Sequence, residues 1–412
     1  MKNTIVFFLM ILIFANLFPQ EFSDASQMPI TAFEISGLKR TKKRYMENLL
    51  SRFEGQTADD ETKAQIESAL QEQNLFDEIE ISFEENSEDE TIVKISLKEK
   101  WSLLPLPFVA ASNGSFIAGL FLIDMNAFGL HDTFVGGGLY SKKMLMGMAA
   151  YAKQPHKKGD FGFSISFSVA KRESTFCDGR EKDVLEYEAF SLGAGARLLF
   201  KPTEHTSVNL ETSYNFFNPE ESEKNLMMRK TNTWNLGAGW NFSKSSWNGI
   251  FLSSNGFSIS GGIHFSDNSD FKIGESILAI AKTQIPVAQR IRLLGTASAF
   301  FGKDLFYPQW KNRNVAAVSI LPSDFRTQRI FGVSAGAEFC IVKIKFGMLS
   351  AYALYQAALA QDWDESLYVA HGPEAGLRMY FAKIAFPAIS MGGSYNITNN
   401  SWQYSFSLGM GF

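Results

Sequence analysis

One amphipathic pattern recurs from residue 101 to the end of the chain, where large apolar side chains alternate with small or polar ones. The last stretch, Ser401 to Phe412, shows the pattern most clearly. Successive side chains of a β-strand point to opposite faces, so this stretch predicts a strand with one apolar and one polar face. About ten residues of tilted strand match the height of a bilayer's hydrocarbon core. The apolar face consists of Trp402, Tyr404, Phe406, Leu408, Met410 and Phe412.

The same alternation predicts about sixteen strands, an even number as in single-chain bacterial barrels. They lie at 102–111, 116–126, 133–142, 144–154, 161–172, 187–200, 206–217, 232–243, 254–266, 273–286, 290–302, 332–346, 348–360, 372–385, 388–398 and 401–412. The longer connections all follow odd-numbered strands, namely 173–186, 218–231, 303–331 and 361–371. Long loops on one side and short turns on the other are typical of outer-membrane barrels. The connection 244–253 is an exception, because it is long for the short side.

Composition agrees with a transmembrane antiparallel β-barrel and argues against a bundle of membrane helices. Mean hydropathy is close to zero, as expected when lipid-facing and lumen-facing residues cancel. The formal net charge of −4 gives no basis for a nucleic-acid partner. The two cysteines, Cys177 and Cys340, are far apart in sequence and favour free thiols, with a disulfide as the alternative.

The N-terminus has the pattern of a secretory signal peptide, which we place at residues 1–25. Lys2 precedes an apolar run from Ile5 to Phe18, which is short for a membrane-spanning helix. Ser23-Asp24-Ala25 supplies small residues at a cleavage site. An uncleaved inner-membrane anchor is the alternative interpretation. Both interpretations predict that the chain is exported.

Residues 28–100 predict a small domain with the element order β-α-α-β-β. A short alternating strand ends at Gly37, and two helical patterns follow, the second capped by Asp59 or Asp60. Two alternating strands then flank the turn-rich residues 86–89. A generic α+β domain would show the same order, so the pattern alone does not identify the family.

This domain resembles a POTRA domain, the periplasmic repeat of the BamA and TamA superfamily of outer-membrane proteins. The resemblance is carried by F-E-I-S-G at 33–37, Gly55, Leu70 with N-L-F at 74–76, and V-K-I-S-L-K-E-K-W at 93–101. It implies a periplasmic domain whose open sheet edge adds a strand from a client protein.

The region 101–412 also resembles the barrel of that superfamily. Asp124, Asn126 and Gly129 match its early-barrel D-x-N-x-x-G turn, and Gly376-Leu377-Arg378 is similar to its G-x-G-L-R strand. The stretch 247–256 is a degenerate version of its mid-barrel turn, without the Asp, Arg and Pro. Phe412 is similar to its terminal aromatic residue. That likeness implies that the last strand is a signal read when this barrel is itself inserted.

The family's most diagnostic motif is an Arg-Gly-aromatic triplet on a long outer loop that folds back into the barrel. The matching connection, 303–331, contains F-R-T-Q-R-I-F-G but no Arg-Gly pair. Arg329, Phe331 and Gly332 are the nearest equivalents, with Arg326 as the alternative arginine. An ordinary surface loop with basic residues is the other interpretation. The departure leaves open whether this loop locks in the lumen.

No pattern predicts an enzyme, a metal site or a cofactor. Gly332-Val333-Ser334-Ala335-Gly336 matches a nucleophile elbow, but the residues after it have strand alternation where the elbow needs a helix. The five histidines are dispersed without metal-ligand spacing.

The resemblance implies a protein of the bacterial outer membrane that assists insertion of other barrel proteins or translocation of a partner protein. Its implied partners are the lipid bilayer, unfolded β-barrel or secreted clients bound through the POTRA-like domain, and periplasmic accessory proteins. In that mechanism the seam between the first and last barrel strands opens sideways. The alternative is a passive channel or structural surface antigen that has kept the scaffold.

Overall fold

The structure is a computed structural model that describes residues 28–86, 90–112, 115–155, 157–220, 228–267, 272–382 and 388–408. The predicted signal peptide at 1–25 lies outside these residues, and so do Met410 and Phe412. The described residues form two units, a small α/β domain and a large antiparallel sheet.

The small domain has the predicted order β1 (Ile30–Ser36), α1 (Lys43–Leu50), α2 (Asp60–Glu72), β2 (Phe76–Asn86) and β3 (Glu90–Glu99). The strand β3 lies in the middle, parallel to β1 and antiparallel to β2. The Asp59 carboxylate accepts a hydrogen bond from the Thr62 backbone N–H, which caps α2. One apolar core joins the helices to the sheet, with Tyr45, Met46, Leu50, Ile66 and Leu70 almost fully buried.

Sixteen strands form the large sheet, in sequence order from β4 to β19. They are β4 (Leu103–Ser112), β5 (Ser115–Ala127), β6 (Asp132–Ser141), β7 (Met144–Lys153), β8 (Phe161–Cys177), β9 (Asp183–Thr203), β10 (Thr206–Pro219), β11 (Thr231–Trp247), β12 (Leu252–Ser266), β13 (Lys272–Ala288), β14 (Ile291–Lys303), β15 (Arg329–Ile344), β16 (Gly347–Gln361), β17 (Leu367–Phe381), β18 (Ile389–Asn396) and β19 (Ser401–Leu408). The predicted number of strands is confirmed, and many strands extend beyond the predicted bounds.

Contacts across the sheet show that it curls into a barrel. The loop between β8 and β9 reaches the β18–β19 hairpin, where Asn399 Nδ2 donates to Gly179 O at 2.6 Å and Ser401 Oγ donates to Glu181 Oε1 at 2.6 Å. In a flat sheet these strands would lie roughly 45 Å apart at the usual spacing of about 4.8 Å. Direct hydrogen bonds are therefore compatible only with a strongly curved sheet.

The outward face of the barrel is an exposed apolar belt. Its members include Phe163, Leu198, Leu210, Trp234, Ile277, Leu293, Tyr355, Leu377, Trp402 and Tyr404, each at least 39% exposed. A water-soluble protein rarely exposes an apolar surface of this extent, whereas lipid covers such a belt in a membrane barrel. Among the described residues no helix is long and apolar enough to cross a membrane.

The small domain lies on the side of the short turns, as the alternation of loop lengths predicts. The Arg52 guanidinium donates to the Glu204 carboxylate in the β9–β10 turn at 3.1 Å. The apparent exception at 244–253 disappears because β11 and β12 extend further than predicted, which leaves only residues 248–251 as the turn. Both cysteines are free and buried, so the prediction of free thiols is confirmed.

Candidate functional site

The early-barrel turn fastens the small domain to the barrel. Asp124 Oδ1 accepts from the Asn126 backbone N–H at 3.0 Å, while Asp124 Oδ2 accepts from Arg40 Nη2 at 2.8 Å. Asn126 Nδ2 donates to Thr41 Oγ1 at 2.9 Å, and the Lys42 N–H donates to Gly129 O at 2.8 Å. The three predicted turn residues, Asp124, Asn126 and Gly129, are therefore brought together, and all of them contact the 40–42 segment of the small domain.

Gly129 is required at this position for two reasons. Its φ of +73° lies in the left-handed region, and a Cβ atom there would lie 2.1 Å from Arg40 O. The turn can approach the domain closely only because the side chain is missing.

Titratable groups of the small domain reinforce the junction. Burial alone would raise the pKa of Glu99, but backbone N–H groups of Arg40, Thr41 and Lys39 hydrogen-bond its carboxylate and hold the pKa below its usual value. The Tyr45 hydroxyl lies 3.0 Å from His131 Nδ1 and donates to Gln73 Oε1 at 2.7 Å. Burial raises the pKa of Tyr45, with a further contribution from the negative charge of Asp132. Polar groups of both units are therefore ordered at one interface.

The connection 304–328 between β14 and β15 folds into the barrel lumen. Its Ile320, Leu321 and Phe325 are fully buried and pack against Phe300, Ile330, Ala358, Ala360, Tyr368 and Ala370 on the inward faces of β14 to β17. Loops normally cover a surface and leave their side chains solvated. Here the apolar contacts make the loop a plug for one half of the lumen.

Glu374 is the main polar anchor of this lumen loop. The side chain is 2% exposed, and its carboxylate accepts hydrogen bonds from four side chains on three elements. Oε2 accepts from Ser319 Oγ at 2.8 Å and from Gln356 Nε2, while Oε1 accepts from Tyr352 Oη and Ser405 Oγ, each at 3.0 Å. One buried carboxylate therefore joins the loop, two barrel strands and the last strand.

Arg313 makes the second link between the lumen loop and the last strand. Its Nη1 donates to Ser319 O at 3.0 Å and Leu321 O at 2.9 Å, and its Nη2 donates to Tyr404 O at 2.9 Å. The first two bonds hold the loop in its shape, and the third one holds the β19 backbone. Loop and terminal strand are thereby coupled.

The arginines and the phenylalanine predicted from the loop motif do not form these links between the lumen loop and the last strand. Arg326 donates only to carbonyls of its own loop, Ser323 O at 2.8 Å and Phe325 O at 3.0 Å, among the hydrogen bonds found in the described chain. Arg329 and Phe331 are exposed at the start of β15, with the Arg329 guanidinium 4.6 Å from the centre of an outward aromatic ring.

On the inward face of β15, Gly332 is the residue of that motif that lies against the lumen loop. A Cβ atom on Gly332 would lie 2.3 Å from Ala316 O. The anchors found in the structure, Arg313, Ser319 and Glu374, were missed because they share no local spacing. The sequence signal that could have indicated a packed loop is the pair of inward-facing alanines of β16, Ala358 and Ala360. A strand face in contact with water would carry polar residues at those positions.

A buried charge cluster lies near the end of the lumen beside the small domain. The Glu338 carboxylate accepts from Arg292 Nε at 3.0 Å, Arg292 Nη2 at 2.7 Å and Arg378 Nη1 at 2.6 Å. It also accepts from Tyr380 Oη at 2.8 Å and from Ser350 Oγ. Arg378, which was singled out in the G-L-R motif, is therefore one of two arginines that share one carboxylate.

The same cluster holds the β11–β12 turn over the lumen. Arg292 Nη1 donates to Leu252 O at 2.9 Å, and its guanidinium lies 4.6 Å from the centre of the Phe251 ring. Phe251 is 1% exposed and packs with Cys340 and Met348. This turn, which contains the degenerate motif of the sequence, covers the end of the lumen beside the small domain.

The other half of the lumen is open and polar. A cavity of about 470 Å³ lies between the lumen loop and β8 to β13. Its walls are mostly small or polar, with Ser164, Ser166, Gly195, Ser213, Asn235, Gly237, Ser260 and Ser276 among them. Within the described residues no group of three or more His, Cys, Asp or Glu side chains could hold a metal ion. Ser334 is a buried strand residue that pairs with Thr296 and Gln356.

Each sheet ends in strands that have a strand partner on one side only among the described residues. The strand β2 pairs only with β3 in the small sheet, and the large sheet begins at β4 and ends at β19 without a described ladder between them. The predicted pairing of the last strand with 102–111 is therefore not found there. Trp402 and Tyr404 of the predicted terminal signal point outward, 63% and 76% exposed.

Comparison with known proteins finds similarity in fold. No protein-family model and no curated protein matches the chain. BamA from Haemophilus ducreyi lacking POTRA domains 1-3 aligns at 14% identity with a TM-score of 0.52, covering 92% of this chain and 84% of that one. CdiB from Acinetobacter baumannii aligns at 13% identity with a TM-score of 0.56, covering 93% and 74%. CdiB from Escherichia coli aligns at 11% identity with a TM-score of 0.52, covering 95% and 91%.

These alignments span both units of the chain in one superposition, and at such identities they compare folds. The alignments cover 92–95% of this chain, which includes the small domain and the sixteen-stranded sheet. The chain therefore has a fold similar to those of BamA and CdiB, with a small β-α-α-β-β domain followed by a sixteen-stranded antiparallel β-barrel.

Proposed function

We propose that this protein lies in the bacterial outer membrane, with its N-terminal domain in the periplasm, and assists the insertion or translocation of other proteins. The observation that carries this proposal is the lack of a strand partner, within the described residues, at the edge of β2 and between β4 and β19. Such an edge presents backbone N–H and C=O groups that bind an extended segment of almost any sequence.

In this mechanism the small domain captures an extended client segment and the barrel seam receives it. Strand addition supplies the free energy, because each backbone hydrogen bond contributes a net gain of about 0.5–1.5 kcal/mol and a client strand forms many of them. The proposed mechanism uses no nucleotide. The junction at Gly129 fixes the small domain beneath the barrel. The lumen loop holds β19 through Arg313 and Glu374 until a client strand competes for its edge.

A passive channel is the second candidate, and the open polar half of the lumen favours it. Serine side chains and glycine residues leave room for water and hydrophilic solutes along β8 to β13. We group a structural surface antigen on the same scaffold with the passive channel, because neither one inserts or translocates other proteins.

Depletion of the protein in its own bacterium separates these candidates. Quantitative proteomics of the outer membrane and of the culture medium gives the readout, with uptake of a small hydrophilic solute measured in parallel. Loss of several folded barrel proteins supports insertion, and loss of one secreted protein supports translocation. Unchanged barrel and secreted proteins with reduced solute uptake would reject the proposal in favour of the channel.

A further inference from the structure

The free edge of the small sheet is strongly acidic. Residues 77–90 contain eight carboxylates and no lysine or arginine, whereas the whole chain has a formal net charge of only −4. The carboxylates are Asp77, Glu78, Glu80, Glu84, Glu85, Glu88, Asp89 and Glu90. Most of this charge lies on β2, the strand that has no further strand beside it among the described residues.

Three acidic side chains of β2, Glu78, Glu80 and Glu84, share its solvent face. Ile79, Ile81 and Phe83 alternate with them and pack on or beside the helical core. Glu78, Glu80 and Glu84 are exposed on the opposite face, where the side chains of an added strand would lie next to them.

A row of alternating charge already crosses this face. Glu34 on β1 lies 4.0 Å from the Lys94 ammonium on β3, which in turn pairs with Glu84 on β2. Lys98 on β3 pairs in the same way with Glu78. The next strand beyond β2 would continue the alternation if it carried cations. Glu80 faces Ser96 and has no ion pair within the described chain.

The opposite edge of the sheet is less available. At the start of β1 the Ile30 N–H donates to Gln56 O at 2.9 Å, and the Gly55 N–H donates to Ile30 O at 2.9 Å. Residues 55–58 therefore occupy part of that edge. A strand that is added to this sheet would therefore pair with β2.

We propose that the β2 edge binds an extended segment that carries lysine or arginine at alternate positions. This inference deepens the proposed function and rests on its premise that the edge takes an added strand. A second copy of this chain does not fit, because two acidic edges repel each other. Opposite charges across neighbouring strands favour pairing, whereas like charges directly opposite oppose it.

Photo-cross-linking of the full-length protein in detergent tests the charge preference. A benzoyl-phenylalanine at position 82 reports an added strand, and the probes are two peptides with the same apolar residues and either lysine or glutamate at the alternate positions. We expect the lysine peptide to bind about tenfold more tightly at low salt, because three facing pairs each contribute a small factor. The difference should shrink to about twofold in 0.5 M NaCl.

Two triple variants provide the matched comparison. Replacing Glu78, Glu80 and Glu84 with Gln removes the acidic face and should abolish the preference, and because exposed ion pairs contribute little to stability the domain stays folded. Replacing Glu54, Glu61 and Glu67 with Gln removes the same charge from the helical side and should leave the preference unchanged. Equal labelling by both peptides, or stronger labelling by the glutamate peptide, overturns this inference alone. No labelling by either peptide overturns the inference together with strand addition at β2.

Discussion

Replacing Glu338 with glutamine tests the charge cluster at the end of the lumen beside the small domain. The carboxylate is fully buried and neutralises two guanidinium groups, those of Arg292 and Arg378, whose side chains are 3% and 5% exposed. Glutamine keeps the size and removes the charge. Two buried cations then face each other across an amide that can accept fewer of the five hydrogen bonds.

Breaking a buried ion pair by removing one partner costs about 3–5 kcal/mol. Because one carboxylate serves two arginines here, we expect a loss near the upper end of that range. With a urea slope of about 3 kcal/mol per molar, the unfolding midpoint falls by about 1–1.5 M. The double variant Glu338→Gln/Arg378→Gln restores the original net charge of the cluster and should recover about 1–2 kcal/mol.

Urea unfolding in detergent micelles, followed by tryptophan fluorescence, measures this loss. Glu211→Gln is the matched control, because it also removes a carboxylate paired with an arginine in the lumen, but there the side chains are 42% and 49% exposed. Exposed pairs contribute about 0–1 kcal/mol. If Glu338→Gln costs no more than Glu211→Gln, buried charge does not stabilise the base of the barrel, and this reasoning is wrong.

Three further predictions concern the junction and the lumen loop. Gly129→Ala should weaken domain docking and expose the 37–42 segment to protease, whereas Gly159→Ala, with φ of +84° and open space around it, adds only backbone strain of about 1 kcal/mol. Burial lowers the pKa of Lys100 to about 8. The unfolded chain therefore binds more protons than the folded chain between pH 8 and about 10.4. Across that window the free energy of unfolding should rise by about 3 kcal/mol more in the wild-type protein than in Lys100→Met. Urea titrations of both proteins at pH 7.5 and 10.5 measure this difference. Arg313→Gln should speed amide hydrogen exchange in β19, whereas Arg326→Gln, which loses bonds only within its own loop, should not; equal exchange in both variants would show that Arg313 does not hold the strand.

The local sequence pattern was sufficient to predict the strands, because each strand has the same alternation of apolar and polar side chains. A strand with lipid on one side and a polar lumen on the other must alternate, so its presence can be read from its own residues. The turn at Asp124, Asn126 and Gly129 was likewise visible, since its geometry needs particular residues at short spacing. Strand ends were less certain, as at Trp247, because alternation continues beyond the membrane.

The lumen loop could not be predicted in the same way. Glu374, Arg313 and Ser405 are distant in sequence, and a lone charged residue on a wet strand face has the same pattern whether water or a buried partner surrounds it. The motif-based choice of Arg329 and Phe331 followed spacing from relatives, whereas the structure turns both side chains outward. Which arginine anchors the loop depends on how the 304–328 segment packs on β14 to β17.

The sequence by itself determined the number of strands, the side of the short turns and the order of the two units, because these follow from local periodicity and turn chemistry. Only the tertiary structure decided which residues meet inside the barrel and which strand edges, within the described residues, have no strand partner. Closing a sheet of sixteen strands brings together side chains that are more than a hundred residues apart, as Glu181 and Ser401 show. The hydrogen bond between them depends on the curvature and the strand register of the whole sheet, and no local sequence pattern predicts either one.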